Sequence, residues 1–421
     1  MTSPRQWILL MVLLWFPLQA YAQSTTDPLT IEDVVELFKQ NSLQQELAKL
    51  DELRRLGEAR QYSTYDNPEF SIFSEQLNAG KQDYDETTYQ LSVPIELLGQ
   101  PFLRNKSANR SSEAARLYYE YDRSLLIQQV KYLYTEYWYL QKKLDVYDQA
   151  LDVVEKVLQS ARARQEEGTS SGIQAQRFTV EKNRYQRMRN EVETEMLQTG
   201  NQLLSMITSS SPPEADTGLD IEYNLSVEPV IERQESLLQY ALQQRADLQA
   251  MELESDALEL KYNVEKRERL PDLKLNLGYK NQSDGSEGFV IGGGIKLPIF
   301  NRNSGNITVA EAEHRSVETS LQIKRRDVRN QVEVAYQRVQ DLYSQWDDMQ
   351  QHPLTSGMLE TARIAYQEGQ YSLVELLDVT KAYADGQSLS YRIIADYQQA
   401  LFQLDTMTSG TIFSNQTNSD Q

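Results

Sequence analysis

Residues 270–303 read LPDLKLNLGYKNQSDGSEGFVIGGGIKLPIFNRN. Leu273, Leu275, Leu277 and Tyr279 alternate with Lys274, Asn276, Gly278 and Lys280. A return strand repeats the pattern, with Phe289, Ile291, Gly293, Ile295 and Leu297 on one face and Val290, Gly292, Gly294 and Lys296 on the other. Strict alternation of this kind is the mark of a β-hairpin with one apolar face.

The hairpin has a forerunner in the same chain. Pro271 in Leu-Pro-Asp-Leu stands 203 residues after Pro68 in Asn-Pro-Glu-Phe, and Pro298 in Leu-Pro-Ile stands 204 after Pro94 in Val-Pro-Ile. There, Tyr89, Leu91, Val93 and Ile95 alternate with Thr88, Gln90, Ser92 and Pro94, after a less regular strand carrying Phe70, Ile72, Phe73 and Leu77. Val130, Tyr134, Tyr137, Gln141 and Leu144 match Val332, Tyr336, Val339, Tyr343 and Trp346 at an offset of 202. Glu167-Gly168 matches Glu368-Gly369 at 201. Nearly constant offsets over such a distance mean two copies of one unit.

Each copy runs in the same order. A first helix is expected over 29–60 and again over 236–269, from helical apolar spacing and a high content of Glu, Gln, Leu and Lys. The hairpins follow, at 69–98 and 272–298. Long proline-free stretches, 103–167 and 304–352, then carry apolar residues at three- and four-residue spacing, such as Val130, Tyr134, Tyr137, Leu144, Tyr147, Leu151, Val154 and Leu158. A helix of about 60 residues is about 90 Å long and needs partner helices in a bundle or coiled coil. Short breaks at 168–172 and 369–372 precede a returning helix, and Pro353 after His352 marks a further break. The expected division is a first repeat over 23–207, a Ser- and Pro-rich linker over 208–232, a second repeat over 233–409 and a polar, disordered tail over 410–421.

Arg5 precedes an apolar run over 7–16, and Ala20-Tyr21-Ala22 follows as a small-x-small cleavage site. Residues 1–22 therefore read as a secretory signal peptide, too short for a bilayer span. No later segment reaches transmembrane-helix length, so a membrane location requires β-structure. Cysteine is absent, which excludes disulfides, thiolate metal sites, a cysteine nucleophile and a lipid anchor on cysteine. The formal net charge of −20 argues against nucleic acid or anionic lipid held on a basic face. Two hairpins supply four strands, and the smallest membrane barrels have about eight. Several copies must close the barrel together, two giving eight strands or three giving twelve. Hairpins and long helices also suit an exported stalk or adhesin with the apolar strand face buried in a sandwich.

The duplicated unit resembles the outer-membrane efflux protein family, the TolC-like channels, over about 29–407. The resemblance is carried locally by Arg269-Leu270-Pro271-Asp272-Leu273, by Leu297-Pro298-Ile299-Phe300-Asn301-Arg302-Asn303, and by Tyr366-Gln367-Glu368-Gly369 leading to Val374-Glu375-Leu376-Leu377-Asp378. The second stretch, followed by Gly305 and the acidic-alanine run to Glu313, looks most like the heavy-metal branch, the CzcC-like and CusC-like proteins. The resemblance implies a mainly α protein with a small β part. Three copies share a twelve-stranded outer-membrane barrel, continued by a long periplasmic α-helical tunnel. It further implies passive efflux in partnership with a periplasmic adaptor protein and an inner-membrane pump of the resistance-nodulation-division type, with heavy-metal cations as cargo. Multidrug efflux and protein secretion are the other roles of the same fold.

By the same resemblance, acidic residues after the second tip line the narrow periplasmic end, and Glu375 and Asp378 are the matching positions. Their three-residue spacing puts both on one helical face. Glu375 also completes a capping box with Ser372, which favours an acid there whatever the pore needs. The first copy has Ser171-x-x-Gln174 and Arg177 instead. Gly168 and Gly369 read as helix C-terminal caps and as the tips that an adaptor engages. Tyr84, Tyr89, Tyr279 and Phe289 suit an interfacial aromatic belt, and the tyrosines over 118–147 suit packing between helices. An enzyme is not expected. The chain has two histidines, His314 on a helix face among Glu311 and Glu313 and His352 before proline, and no phosphate loop, nucleophile elbow or His-Glu-x-x-His. No cofactor or resident metal is implied.

Overall fold

The computed structural model describes residues 28–412 apart from 79–82, 97, 169–171, 210–218, 223, 224, 226, 352–354 and 411. The expected signal peptide, the Ser171 cap, the His352-Pro353 break, the tail beyond Ile412 and part of the linker lie outside these residues.

The first copy contains α1 (Ile31–Asn41), α2 (Leu43–Ser63), β1 (Glu69–Asn78), β2 (Asp83–Ile95), α3 (Gln100–Glu166) and α4 (Gly172–Ile207). The second contains α5 (Gln234–Gln244), α6 (Ala246–Arg267), β3 (Asp272–Gln282), β4 (Glu287–Lys296), α7 (Ser304–Gln350), α8 (Ser356–Gln367) and α9 (Leu373–Met407). At 67 residues, α3 is about 100 Å long. Toward the sheet, α2 packs on α3, α3 on α6 and α6 on α7; toward the far end, α4 packs on α3, α3 on α9 and α9 on α7. Each row is open, with α2 or α4 at one edge and α7 at the other. No described helix is long and apolar enough to cross a membrane.

Equivalent backbone conformations recur at the repeat spacing. Gly99 and Asn303 both take left-handed angles (φ 74° and 57°), turning the chain from a strand into α3 or α7. Tyr134 donates its hydroxyl to the Leu29 carbonyl at 3.0 Å, and its counterpart Tyr336 donates to the Glu232 carbonyl at 3.3 Å. These bonds anchor each copy's entry segment on its long helix.

The first helix of each copy is not continuous, contrary to the expectation from periodicity. Ser42 and Arg245 stand between two helices with extended angles (φ −73°, ψ 123°; φ −63°, ψ 124°). At Ser42 the cause is local, because its side chain caps the Gln45 amide and starts α2 afresh. At Arg245 the cause is tertiary. Its guanidinium, 2% exposed, donates to Asp247 at 2.7 and 2.9 Å and to the Tyr121 hydroxyl at 3.0 Å. Lys324 of α7 reaches the same carboxylate at 3.0 Å. Burial alone would raise the Asp247 pKa, but the bonds from Arg245 and Lys324 prevail and hold it below its usual value.

The four strands form one antiparallel sheet in the order β1-β2-β3-β4. Register places Phe70, Leu91, Leu277 and Ile291 in one cross-strand row, and Ile72, Tyr89, Tyr279 and Phe289 in the next. Tyr279 and Phe289 meet edge to face, 5.6 Å between ring centres. The side chain of Tyr84 lies outside those described, so of the belt expected from sequence the structure describes Tyr89, Tyr279 and Phe289. The opposite face is mostly polar apart from Phe73 and Val290, with Ser92 donating to Asn276 at 2.7 Å and Gln282 to Glu86 at 2.9 Å. The apolar face is uncovered in the single chain, with Phe289 87%, Ile291 77% and Phe70 62% exposed. Among the described residues, β1 and β4 each have one unpaired edge.

The Asp247 cluster gives a prediction. Asp247→Ala leaves the buried Arg245 without a counter-charge, also takes the partner of the half-buried Lys324, and is expected to destabilise the protein by about 3–5 kcal/mol. Ser42→Ala, which removes one cap, is expected to cost about 1 kcal/mol. Urea denaturation in detergent followed by far-UV circular dichroism compares them, and equal losses would contradict the tertiary origin of the second break. The Asp247 contribution is present at neutral pH and is lost as pH falls through the depressed folded-state pKa.

Candidate functional site at the helix tips

The end of the helical part opposite the sheet is built from two left-handed turns. At Gly369 (φ 75°) the chain leaves α8 through a Schellman motif. The Gln370 amide bonds the Ala365 carbonyl at 2.8 Å and the Gly369 amide bonds the Tyr366 carbonyl at 3.1 Å. Gly168 (φ 72°) makes the corresponding inner bond, its amide to the Gln165 carbonyl at 3.1 Å. The two turns are neighbours. Arg164 donates to the Gln367 carbonyl at 3.3 Å, and Phe178 meets Tyr366 edge to face at 5.7 Å.

α9 starts beyond the Gly369 turn. The Ser372 amide donates to the Glu375 carboxylate at 2.6 Å, and the Glu375 amide donates to the Ser372 hydroxyl at 3.3 Å, completing the capping box. Bonds from the Ser372 backbone and side chain hold the Glu375 carboxyl below its usual range. Leu373, Leu376, Thr380, Tyr383 and Ala384 form the buried face of α9. Glu375 and Asp378 both lie on the exposed face, as does Arg177 on α4.

One residue of this face is not singled out by the sequence reading. Asp385 is exposed and follows Asp378 by seven residues, so Glu375, Asp378, Ala382 and Asp385 form a stripe with alternating steps of three and four. Burial raises the Tyr147 hydroxyl above its ordinary value, and the Asp385 carboxylate adds to the shift, which places Asp385 beside α3. Lys381, also exposed, is the only base in this part of α9, so residues 375–385 carry three acids and one base. Heptad continuation from Asp378 was the signal for Asp385, but it can be read only once the buried face of α9 is known.

Among the described residues, no group of three or more His, Asp or Glu side chains is placed to hold a metal ion. His314 lies 3.7 Å from Glu318 one turn along α7. The geometry is that of a duct wall: a long helical row, an amphipathic sheet at one end and charged turns at the other.

The model of the outer membrane efflux protein family matches residues 55–208 and 237–410, one segment in each copy. The chain belongs to the outer membrane efflux protein family. It is 24% identical over 396 residues to the cobalt-zinc-cadmium resistance protein CzcC of Cupriavidus metallidurans, with 91% of each chain covered. It is 23% identical over 261 residues to the nickel-cobalt-cadmium resistance protein NccC of Alcaligenes xylosoxydans xylosoxydans, covering 60% of this chain and 57% of that one. Its fold is that of the Campylobacter jejuni CmeC outer membrane channel, with a TM-score of 0.80 at 15% identity over 92% of this chain and 88% of that one. CusC is similar, with a TM-score of 0.73 at 18% identity over 90% and 91%. As an outer membrane efflux protein the chain resides in the outer membrane, and its family is one of transport channels. Its helices extend into the periplasm.

The turn at Gly369 has open space where a side chain would go. Gly369→Ala is therefore expected to act through the backbone alone, costing about 1–2 kcal/mol. Faster hydrogen exchange at the first-turn amides of α9, with no change at the centre of α3, would be the signature. Unaltered exchange would show that the left-handed turn does not hold the tip.

Proposed function

We propose that this outer membrane efflux protein is the passive exit duct of a tripartite system, working as a homotrimer. A periplasmic adaptor at the Gly168 and Gly369 tips would link it to an inner-membrane pump of the resistance-nodulation-division type, with heavy-metal cations as the cargo. The observation that carries this reading is the four-stranded sheet, apolar on one face and open at both edges, at the head of a helical row that is itself open. Unpaired backbone groups in a bilayer cost several kcal/mol each, so β1 and β4 must be joined through other copies. Three copies give twelve strands, and the same rotation brings α7 of one copy against α2 and α4 of the next. Exposed apolar residues on those edges support the match: Leu43, Leu47, Leu50 and Leu53 on α2, Ile173 and Val180 on α4, and Val309, Ile323 and Val334 on α7.

In such a trimer each acidic residue of the α9 stripe becomes a ring of three. Rings of carboxylates in a narrow pore attract cations and repel anions, and their mutual repulsion limits how tightly the tips close. The resistance proteins named above support metal cations as the cargo. With no cysteine and two histidines in the whole chain, any metal would pass through rather than be held tightly.

Two measurements test the reading. Glu375→Gln keeps the capping box, because Gln fills that position equally well. Combined with Asp378→Asn it is expected to raise the conductance of the channel in planar bilayers and to weaken its cation preference. Unchanged conductance and selectivity would remove both residues from the pore. Growth of a strain deleted for this chain, on graded metal salts, detergents and antibiotics, is expected to fall selectively with one or two metal cations. Broad sensitivity to drugs and detergents would keep the fold and assign multidrug efflux instead.

A further inference from the structure

Arg245, at the break between α5 and α6, engages two of its three guanidinium nitrogens. Nε and Nη2 donate to Asp247, and Nη2 also donates to the Tyr121 hydroxyl. Nη1 is buried with no hydrogen-bond partner among the described residues. A buried donor without an acceptor bears the full desolvation penalty of its group, which is larger when the group is charged. The charges do not balance either, because Lys324 shares the Asp247 carboxylate and two cations meet one anion.

The same arginine forms part of the wall of a cavity of about 360 Å³, bounded by the α5–α6 break, by α3 and by the end of α9. Ser124, Gln128 and Lys131 line it from α3, and Ala246 lines it from the first turn of α6. The start of a helix carries free amides and partial positive charge. Burial lowers the Lys131 pKa, and the nearby carboxylates of Asp405 and Glu32 do not make good the loss, so this ammonium too is short of counter-charge. Two acids share the wall, and neither accepts from Nη1. The Asp405 carboxylate takes the Ile412 amide at 3.1 Å, and Glu120 is exposed.

We infer that this cavity is a binding site for a small oxyanion, a carboxylate or phosphate group held on the free Nη1 of Arg245 with Lys131 and the start of α6 beside it. The guanidinium fork matches the paired oxygens of either group. The cavity is near the lower end of the range of ligand pockets, about 300–1,000 Å³, which suits a compact anion rather than an extended ligand. A bound anion would supply the missing acceptor and balance the second cation. It would also tie α3, the α5–α6 break and the end of α9 together, so the site is a structural one in the wall of the duct. The first copy has no equivalent, because its break is made by Ser42, which offers no cation. The site lies within one chain and depends on neither the cargo nor the trimer proposed above.

Equilibrium dialysis of the full chain in dodecyl maltoside, against radiolabelled phosphate or radiolabelled acetate at constant ionic strength in sodium chloride, tests the inference. The expected result is saturable uptake of one anion per chain, with a rise in melting temperature as the anion replaces chloride. Two variants locate the site, each checked for folding by far-UV circular dichroism. Ser124→Leu narrows the cavity and leaves the ion cluster intact, and Arg245→Lys keeps the charge but removes the fork. Each is expected to weaken uptake by about tenfold or more, as loss of a hydrogen bond to a charged group does. Should Arg245→Lys fail to fold, Ser124→Leu decides alone. Uptake of only one of the two probes would support the site and assign it to that class of oxyanion. No saturable uptake of either would leave Nη1 to water and overturn the inference. Uptake that a folded variant leaves unchanged would put the anion elsewhere on the chain and overturn it as well.

Discussion

The unpaired backbone groups along the outer edges of β1 and β4 govern the rest of this molecule. A hydrocarbon environment offers them no partner, and a four-stranded sheet is too narrow to curl onto itself. In the proposed trimer the sheet satisfies its edges by meeting copies of itself. That demand passes down the chain, because β1 is joined to α2 and β4 to α7, the helices at the two free edges of the row. Closing the barrel and closing the tunnel are thus one operation, and the amphipathic pattern of the strands decides which side faces outward.

Duplication fixes the positions of the turns but not the means of making them. Gly99 and Asn303 enter the left-handed region at matched positions, one by lacking a side chain and the other by the tolerance of asparagine for that conformation. Ser42 and Arg245 break their helices with nearly the same backbone angles, one with a cap and the other with a buried ion cluster. The cluster costs desolvation that the serine does not, but it binds α3, α6 and α7 through Tyr121, Asp247 and Lys324. The second copy's break therefore does work in the helical row that the first copy's does not.

What could be read from sequence follows from how local each cause is. The hairpins were legible because period-two alternation is a property of the strand itself, and β3 and β4 fall on the residues it marks. The left-handed tip glycines and the Ser372–Glu375 box were legible for the same reason. The break at Ser42 carried a serine cap signal that helical periodicity outweighed. The break at Arg245 carried none, because Arg in a Gln- and Leu-rich helix gives no warning that Asp247, Tyr121 and Lys324 will gather around it. Asp385 escaped because one exposed acid on a long helix looks like any other until the buried face is known.

On the proposed reading, stability and selectivity at the tip are carried by different carboxylates. Glu375 is bound to the Ser372 amide at the N-terminus of α9, where the unpaired amides of the first turn already favour a negative charge. Part of its field is thus spent on its own helix, and its side chain is held in one place. Asp378 and Asp385 lie farther along, beyond the reach of the capping box, and their charge is directed at whatever faces the stripe. A ring of Glu375 would hold the start of α9 in shape at the turn that must move when the tip opens. Rings of Asp378 and Asp385, offset by Lys381, would set the potential that an ion meets. This division accounts for an acid at Glu375 where the first copy has Gln174, since a glutamine caps as well but leaves the helix start without charge.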